Sequence, residues 1–203
     1  MILRPLLKTP RAYCQARRLV MTSPSPIHFG PFEVTDQVFY NTPLSYALVN
    51  IKPLLPGHVL VIPHRRVQRM TELTQPEVTD LFSTVQRVQR MLAGEYFNGG
   101  GQPEDGSFNL AIQDGRDAGQ TVPHMHCHII PRMKDSNVGD EIYERLAGEE
   151  GNVGGGLWDA QRPVQAGRFP KIEDEHRKPR SQQEMNEEAK LFREKMDRLD
   201  QSL

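Results

Sequence analysis

Residues 122–132 read Val-Pro-His-Met-His-Cys-His-Ile-Ile-Pro-Arg, which sets His124, His126 and His128 at two-residue spacing with apolar residues between them. In an extended chain successive side chains point to opposite faces. The spacing therefore predicts a strand over 122–130 with three imidazoles on one face and Met125, Cys127 and Ile129 on the other, against a core. A helix would scatter the three rings around its axis. Near neutral pH an imidazole can attack, pass a proton or bind a metal, so three readings stand at this point. The row is a set of hydrogen-bonded sheet residues, or a metal site needing a further ligand such as His58, or a nucleophilic centre acting on phosphorus. In the third, a neutral ring nitrogen attacks a phosphate ester and gives a labile phosphoramidate that water hydrolyses. Flanking donors then neutralise charge on the non-bridging and leaving oxygens.

Stepping outward from the row, the elements that must carry it can be read from pattern. Short β-prone segments lie at 34–40, 46–51 and 58–62, and two more at 108–113 and 122–130. Thr74 and Glu77 form a capping-box pair with Pro76 in the first turn. Val78, Leu81, Phe82, Val85, Val88 and Leu92 follow at helical spacing, predicting a helix to about Tyr96. Ser181 and Glu184 repeat the capping box, and Met185, Ala189, Phe192, Met196 and Leu199 fall on one stripe, predicting a C-terminal helix. Residues 98–107 read as a surface loop. The expected organisation is a basic extension over 1–26, an α+β domain over 27–132, a flexible loop over 133–180 and a C-terminal helix over 181–203.

Composition bounds the function. A chain of 203 residues with net charge −1 and pI near 6.7 gives no reason to expect a nucleic-acid or membrane-surface partner. Mean hydropathy is −0.59 and no run approaches the roughly 20 apolar residues of a membrane-spanning helix. Two cysteines, Cys14 and Cys127, form no disulfide framework and suit an intracellular protein with reduced thiols. The expected location is the cytoplasm, with the nucleus as a second place. Residues 1–26 carry five arginines and lysines and no acid. That composition is shared by mitochondrial transit peptides and by extensions with no address.

Several segments together resemble one family. His124–Ile130 resembles the motif of the histidine-triad (HIT) superfamily. Phe29-Gly30, 44–50, Lys52-Pro53, 56–61, Gln113-Asp114-Gly115 and 118–122 resemble its fragile histidine triad (Fhit-like) branch, in order and at similar spacing. The resemblance implies a HIT-like fold, an antiparallel β-sheet with a long helix and a C-terminal helix. It also implies hydrolysis of diadenosine triphosphate to AMP and ADP through a nucleotidyl-histidine. Residue by residue, it implies His126 as nucleophile and His128 at the scissile phosphate and leaving oxygen, with His124 and His58 in support. Gln113 would lie beside the scissile bond, Asn50 at the ribose, and Gly119, Gln120, Thr121 and Val122 along the phosphates. Phe29, Leu48 and Leu60 are placed at the adenine, an ordinary core role remaining open for the two leucines. Phe32 stands where the animal relative has a substrate-contacting histidine, and a tryptophan expected shortly before the last helix is missing near Pro179 and Arg180. A homodimer is implied, with no tightly bound cofactor and with Mg²⁺ or Mn²⁺ accompanying the polyphosphate. Open alternatives are another HIT reaction, such as adenosine phosphoramidase or nucleotidylyl transfer, and a nucleotide-sensing module without turnover.

Overall fold

The computed structural model describes residues 25–133 and 179–201. The expected extension over 1–26 and loop over 133–180 therefore lie almost wholly outside the described residues. The chain forms β1 (His28–Phe29), β2 (Phe32–Glu33), β3 (Val38–Asn41), β4 (Ser45–Val49), β5 (Val59–Pro63), α1 (Gln75–Tyr96), β6 (Ser107–Ile112), β7 (Cys127–Arg132) and α2 (Gln182–Gln201). Strands β3 to β7 make one antiparallel sheet in the order β3-β4-β5-β7-β6, and β1-β2 is a separate hairpin. This is the expected α+β class.

Central strands β4 and β5 are buried on both faces, which is why their sequences run continuously apolar. One face carries Ala47, Val49, Val59, Val61, Cys127 and Ile129 and packs under both helices. There it meets Leu81, Val85, Val88 and Leu92 of α1 and Met185, Ala189, Phe192 and Met196 of α2. On the other face Tyr46, Leu48, Leu60 and Ile62 pack beneath the β1-β2 hairpin with Phe29, Val34 and Val122. Of the stripes read from sequence, these residues bury fully, while Val78, Phe82 and Leu199 are half-buried. Glu77 accepts the Thr74 N–H at 2.7 Å and its hydroxyl at 2.9 Å, and Glu184 does the same for Ser181 at 2.7 and 2.8 Å. Both helix starts are thus fixed as the capping boxes predict.

Two expected strands differ. The segment over 34–40 is broken by a 3-10 turn at Thr35–Gln37, so that β3 begins only at Val38. The histidine strand begins only at Cys127, leaving His124 and His126 on the approach to it. The ladder from β5 to β7 runs from Val59↔Ile129 to Val61↔Cys127 and no further. Pro63 of β5 has no N–H to extend it, and its carbonyl is taken by the His124 ring at 2.8 Å. The Met125 N–H turns instead to the Val67 carbonyl at 2.7 Å. Alternation nevertheless persists past the strand's end: Met125 lies in the helix-side core with Cys127 and Ile129.

Candidate active site

Alternation puts His128 on the face away from the helices, paired across the sheet with Leu60 of β5 and Ala111 of β6. Gln113, two residues beyond Ala111, keeps that face and is buried. Just past the end of β4, Asn50 is buried too, as is His58 just before β5. The sheet thereby collects Asn50, His58, Gln113, His126 and His128 on one side. His124 closes the row beneath Gly30, and all four histidines are at most 1% exposed.

Hydrogen bonds then give each ring a different duty. A neutral imidazole has one N–H and one lone pair. His124 uses both: Nδ1 accepts the Gly30 N–H at 3.1 Å, and Nε2–H donates to the Pro63 carbonyl at 2.8 Å. It is locked and has no nitrogen left for chemistry. In His126, Nδ1–H donates to the His124 carbonyl at 2.8 Å, which leaves Nε2 as a bare lone pair, buried and, among the described residues, without a partner. A longer relay sets His128. The Leu54 N–H donates to His58 Nδ1 at 3.0 Å, so the His58 proton sits on Nε2, which donates to His128 Nδ1 at 3.0 Å. The His128 proton must then sit on Nε2, also buried and unpartnered. The two rings lie with centroids 4.9 Å apart. One open nitrogen carries a lone pair; its neighbour carries a proton.

Burial keeps these rings uncharged. It pulls the His126 pKa down to about 4, against an opposing contribution from the His124 carbonyl. His128 is pushed well below its ordinary value by burial first, then by His126 and His58, and His124 is lowered mainly by burial. Phe29 adds the edge-on wall, its ring 5.1 Å from that of His126 and 5.7 Å from that of His124.

The remaining expected site residues are placed as follows. Val122 is buried under the hairpin, against Gly30. Thr121 offers a buried hydroxyl oxygen with no partner. The N–H groups of Gly119 and Gln120, expected to face phosphate, close a turn on the carbonyls of Arg116 and Gly115, and the Gln120 amide donates to the Gln68 carbonyl. The hydroxyl of Thr121 is therefore this loop's open polar group. Gly119 has φ +87°, and a Cβ there would stand 2.8 Å from Gln113 Nε2. Its lack of a side chain is what lets the loop close on Gln113. Leu48 and Leu60 are core residues, and Phe32 is half-buried against the same cluster, paired with Phe29. Asn50 is fixed by the Lys52 N–H on Oδ1 at 3.0 Å, and its Nδ2–H is offered to His58 Nδ1 at 3.5 Å.

Sequence reading missed the backbone half of this site. The Gly30 N–H, Leu54 N–H, Pro63 carbonyl and His124 carbonyl assign the tautomers, and no side-chain type signals them. Arg180 carries no sequence signal of a role, yet it donates to the Asn50 carbonyl.

The HIT domain family matches residues 31–135. The chain belongs to the HIT family. The chain is 45% identical over 178 residues to the asymmetrical bis(5'-nucleosyl)-tetraphosphatase of Schizosaccharomyces pombe, covering 84% of this chain and 94% of that protein. It is 48% identical over 138 residues to the bis(5'-adenosyl)-triphosphatase of Saccharomyces cerevisiae, covering 68% of this chain and 64% of that relative's length. Among solved structures, the HIT fold here resembles the Plasmodium falciparum diadenosine triphosphate hydrolase in complex with Cyclomarin A, with a TM-score of 0.59, 28% identity and 88% of each chain covered.

Proposed function

We propose that this HIT protein hydrolyses diadenosine triphosphate to AMP and ADP, with His126 as nucleophile. The observation that carries the reading is the pair of neighbouring open nitrogens, a lone pair on His126 and an N–H on His128. In the first step His126 Nε2 bonds to the α-phosphorus as the bond from phosphorus to the leaving oxygen breaks, and ADP departs. The ring becomes cationic, and its Nδ1–H is already aimed at the His124 carbonyl, which stabilises that charge. His128 Nε2–H gives the leaving oxygen a hydrogen bond rather than its proton, since a terminal phosphate with a second pKa of about 6 departs as a dianion near neutral pH. Water then attacks the same phosphorus, the N–P bond breaks, AMP leaves as a dianion near neutral pH, the two protons of the water go to the medium, and His126 is neutral again. In this reading Asn50 holds the ribose, Gln113 and the Thr121 hydroxyl flank the phosphate, and Phe29 and Phe32 border the base. Gly119, Gln120 and Val122 shape the loop along the chain of phosphates. Mg²⁺ or Mn²⁺ arrives with the polyphosphate and masks its charge.

His126→Ala tests this directly. Release of AMP and ADP should vanish while nucleotide binding largely survives, and unchanged turnover would sink the assigned nucleophile. A second reading, diadenosine tetraphosphate cleaved to AMP and ATP, is favoured by the name of the S. pombe relative. Both substrates share the reacting centre, and their kcat/KM values measured side by side decide between them.

The same proposal includes a homodimer. Among the described residues β6 bonds only to β7 and nothing covers its outer edge, its residues are exposed or half-exposed, and Leu110 on it is 46% exposed. An edge of this kind invites a second strand.

A further inference from the structure

We infer that Arg180, just ahead of α2, is a positioning residue that sets Asn50 and, through His58, the proton on His128. The inference rests on the hydrolase reading for its kinetic arm only. The last ladder pair between β4 and β5 is Val49↔Val59, so the next peptides, at Asn50 and Ile51, have no strand partner. Arg180 supplies it. Its backbone N–H donates to the Ile51 carbonyl at 3.0 Å, and its guanidinium reaches the Asn50 carbonyl with Nε at 3.1 Å and the terminal nitrogen at 2.5 Å. That terminal nitrogen also pairs with Glu188, nearly two turns into α2, at 2.7 Å, and both side chains are largely buried.

The consequences run in one direction through named contacts. With its carbonyl held by Arg180 and its Oδ1 held by the Lys52 N–H, the Asn50 side chain is placed with an Nδ2–H against His58 Nδ1 at 3.5 Å, where it joins the Leu54 N–H in keeping that nitrogen unprotonated. The His58 ring in turn donates to His128 Nδ1 and thereby puts the His128 proton on its open nitrogen. A guanidinium suits this task, because one planar fork bonds a carbonyl and a carboxylate at once. Docking of α2 is thus wired to the donor side of the active site.

Arg193 provides the matched comparison. It also ties α2 to backbone carbonyls, those of Val38 and Asp36, but at the β3 end, away from the histidines. The experiment compares wild type, Arg180→Met, Arg180→Lys and Arg193→Met in the full chain. Three quantities are read: melting temperature, imidazole ¹⁵N shifts of His58 and His128 without nucleotide, and kcat and KM on diadenosine triphosphate. Arg180→Met should move the His58 and His128 nitrogens from single-tautomer positions to averaged ones and lower kcat/KM about tenfold. Arg180→Lys should recover part of both, since an ammonium can still donate to the Asn50 carbonyl, and it carries the comparison alone should the Met variant not fold. Arg193→Met should lower the melting temperature with ring nitrogens and kcat/KM as in wild type. Wild-type ring signals in Arg180→Met, or the same displacement in Arg193→Met, would overturn the inference. A wild-type protein inert toward the nucleotide would defeat the hydrolase reading, while the nitrogen shifts would still decide the role of Arg180.

Discussion

A buried imidazole must choose which nitrogen keeps its proton, and in this protein the backbone makes that choice. The His124 carbonyl fixes it in His126, and the Leu54 N–H fixes it two rings away in His128. Charge state follows from burial. With a pKa near 4 in the folded protein against 6.5 in the open chain, His126 is already a free base at neutral pH. The acid limb of kcat/KM should accordingly fall nearer pH 4 than pH 6.5, and a pH profile checks this. The same shift acts on stability. As pH falls from 6.5 towards 4 the unfolded chain gains a proton that folded His126 refuses, so the folded state loses ground across that window. His128 adds to the loss in the same direction. Melting temperature should decline on acidification through this range in wild type and decline less in His126→Ala. At His58, replacement by alanine strips the Leu54 N–H and His128 Nδ1 of their partner. The expected cost is about 1–3 kcal/mol in denaturant melts, with kcat reduced because the His128 proton is no longer assigned.

Among the elements, the β1-β2 hairpin reaches the chemistry through one glycine. Gly30 has φ +57°, its N–H bonds His124, and a Cβ there would stand 2.6 Å from Val122. Gly30→Ala combines a disfavoured backbone with a clash against a buried neighbour, and a loss of about 2 kcal/mol in melts is the expected outcome, together with lower kcat. At the start of α1, Glu77 accepts from Arg65 and from the Thr74 N–H, and these contacts hold its pKa near 2, below the ordinary 4.5. Its contribution is present above pH 4.5 and disappears as pH falls towards 2. Such elements were legible in sequence where local chemistry decides them. Both helices follow from capping boxes and apolar stripes, and the face of the histidine row follows from alternation. The register of that row was less so. Only the partner strand shows that Pro63 ends the ladder at Cys127, and nothing in residues 122–126 announces it. Backbone donors were invisible for the same reason: every residue has an N–H, and only the fold says which one meets a ring.

For the whole molecule, the outer edge of β6 gives the proposed dimer its test. Leu110→Lys leaves the interior untouched and places charge on that edge, so sedimentation should move from dimer to monomer while circular dichroism stays unchanged. A monomer in wild type would remove this part of the proposal. The two sheet faces divide the labour of the molecule: the helix side is filled with apolar side chains, and the opposite side holds the histidines. That second side contains two ring nitrogens hidden from solvent that bond nothing among the described residues. Each is the kind of vacancy that costs a folded protein about 1–3 kcal/mol. Reactivity and robustness therefore pull apart at these two positions. Lineages screened for heat tolerance alone, with no demand for turnover, should drift first at 126 and 128, exchanging the two reactive histidines for apolar residues of similar size.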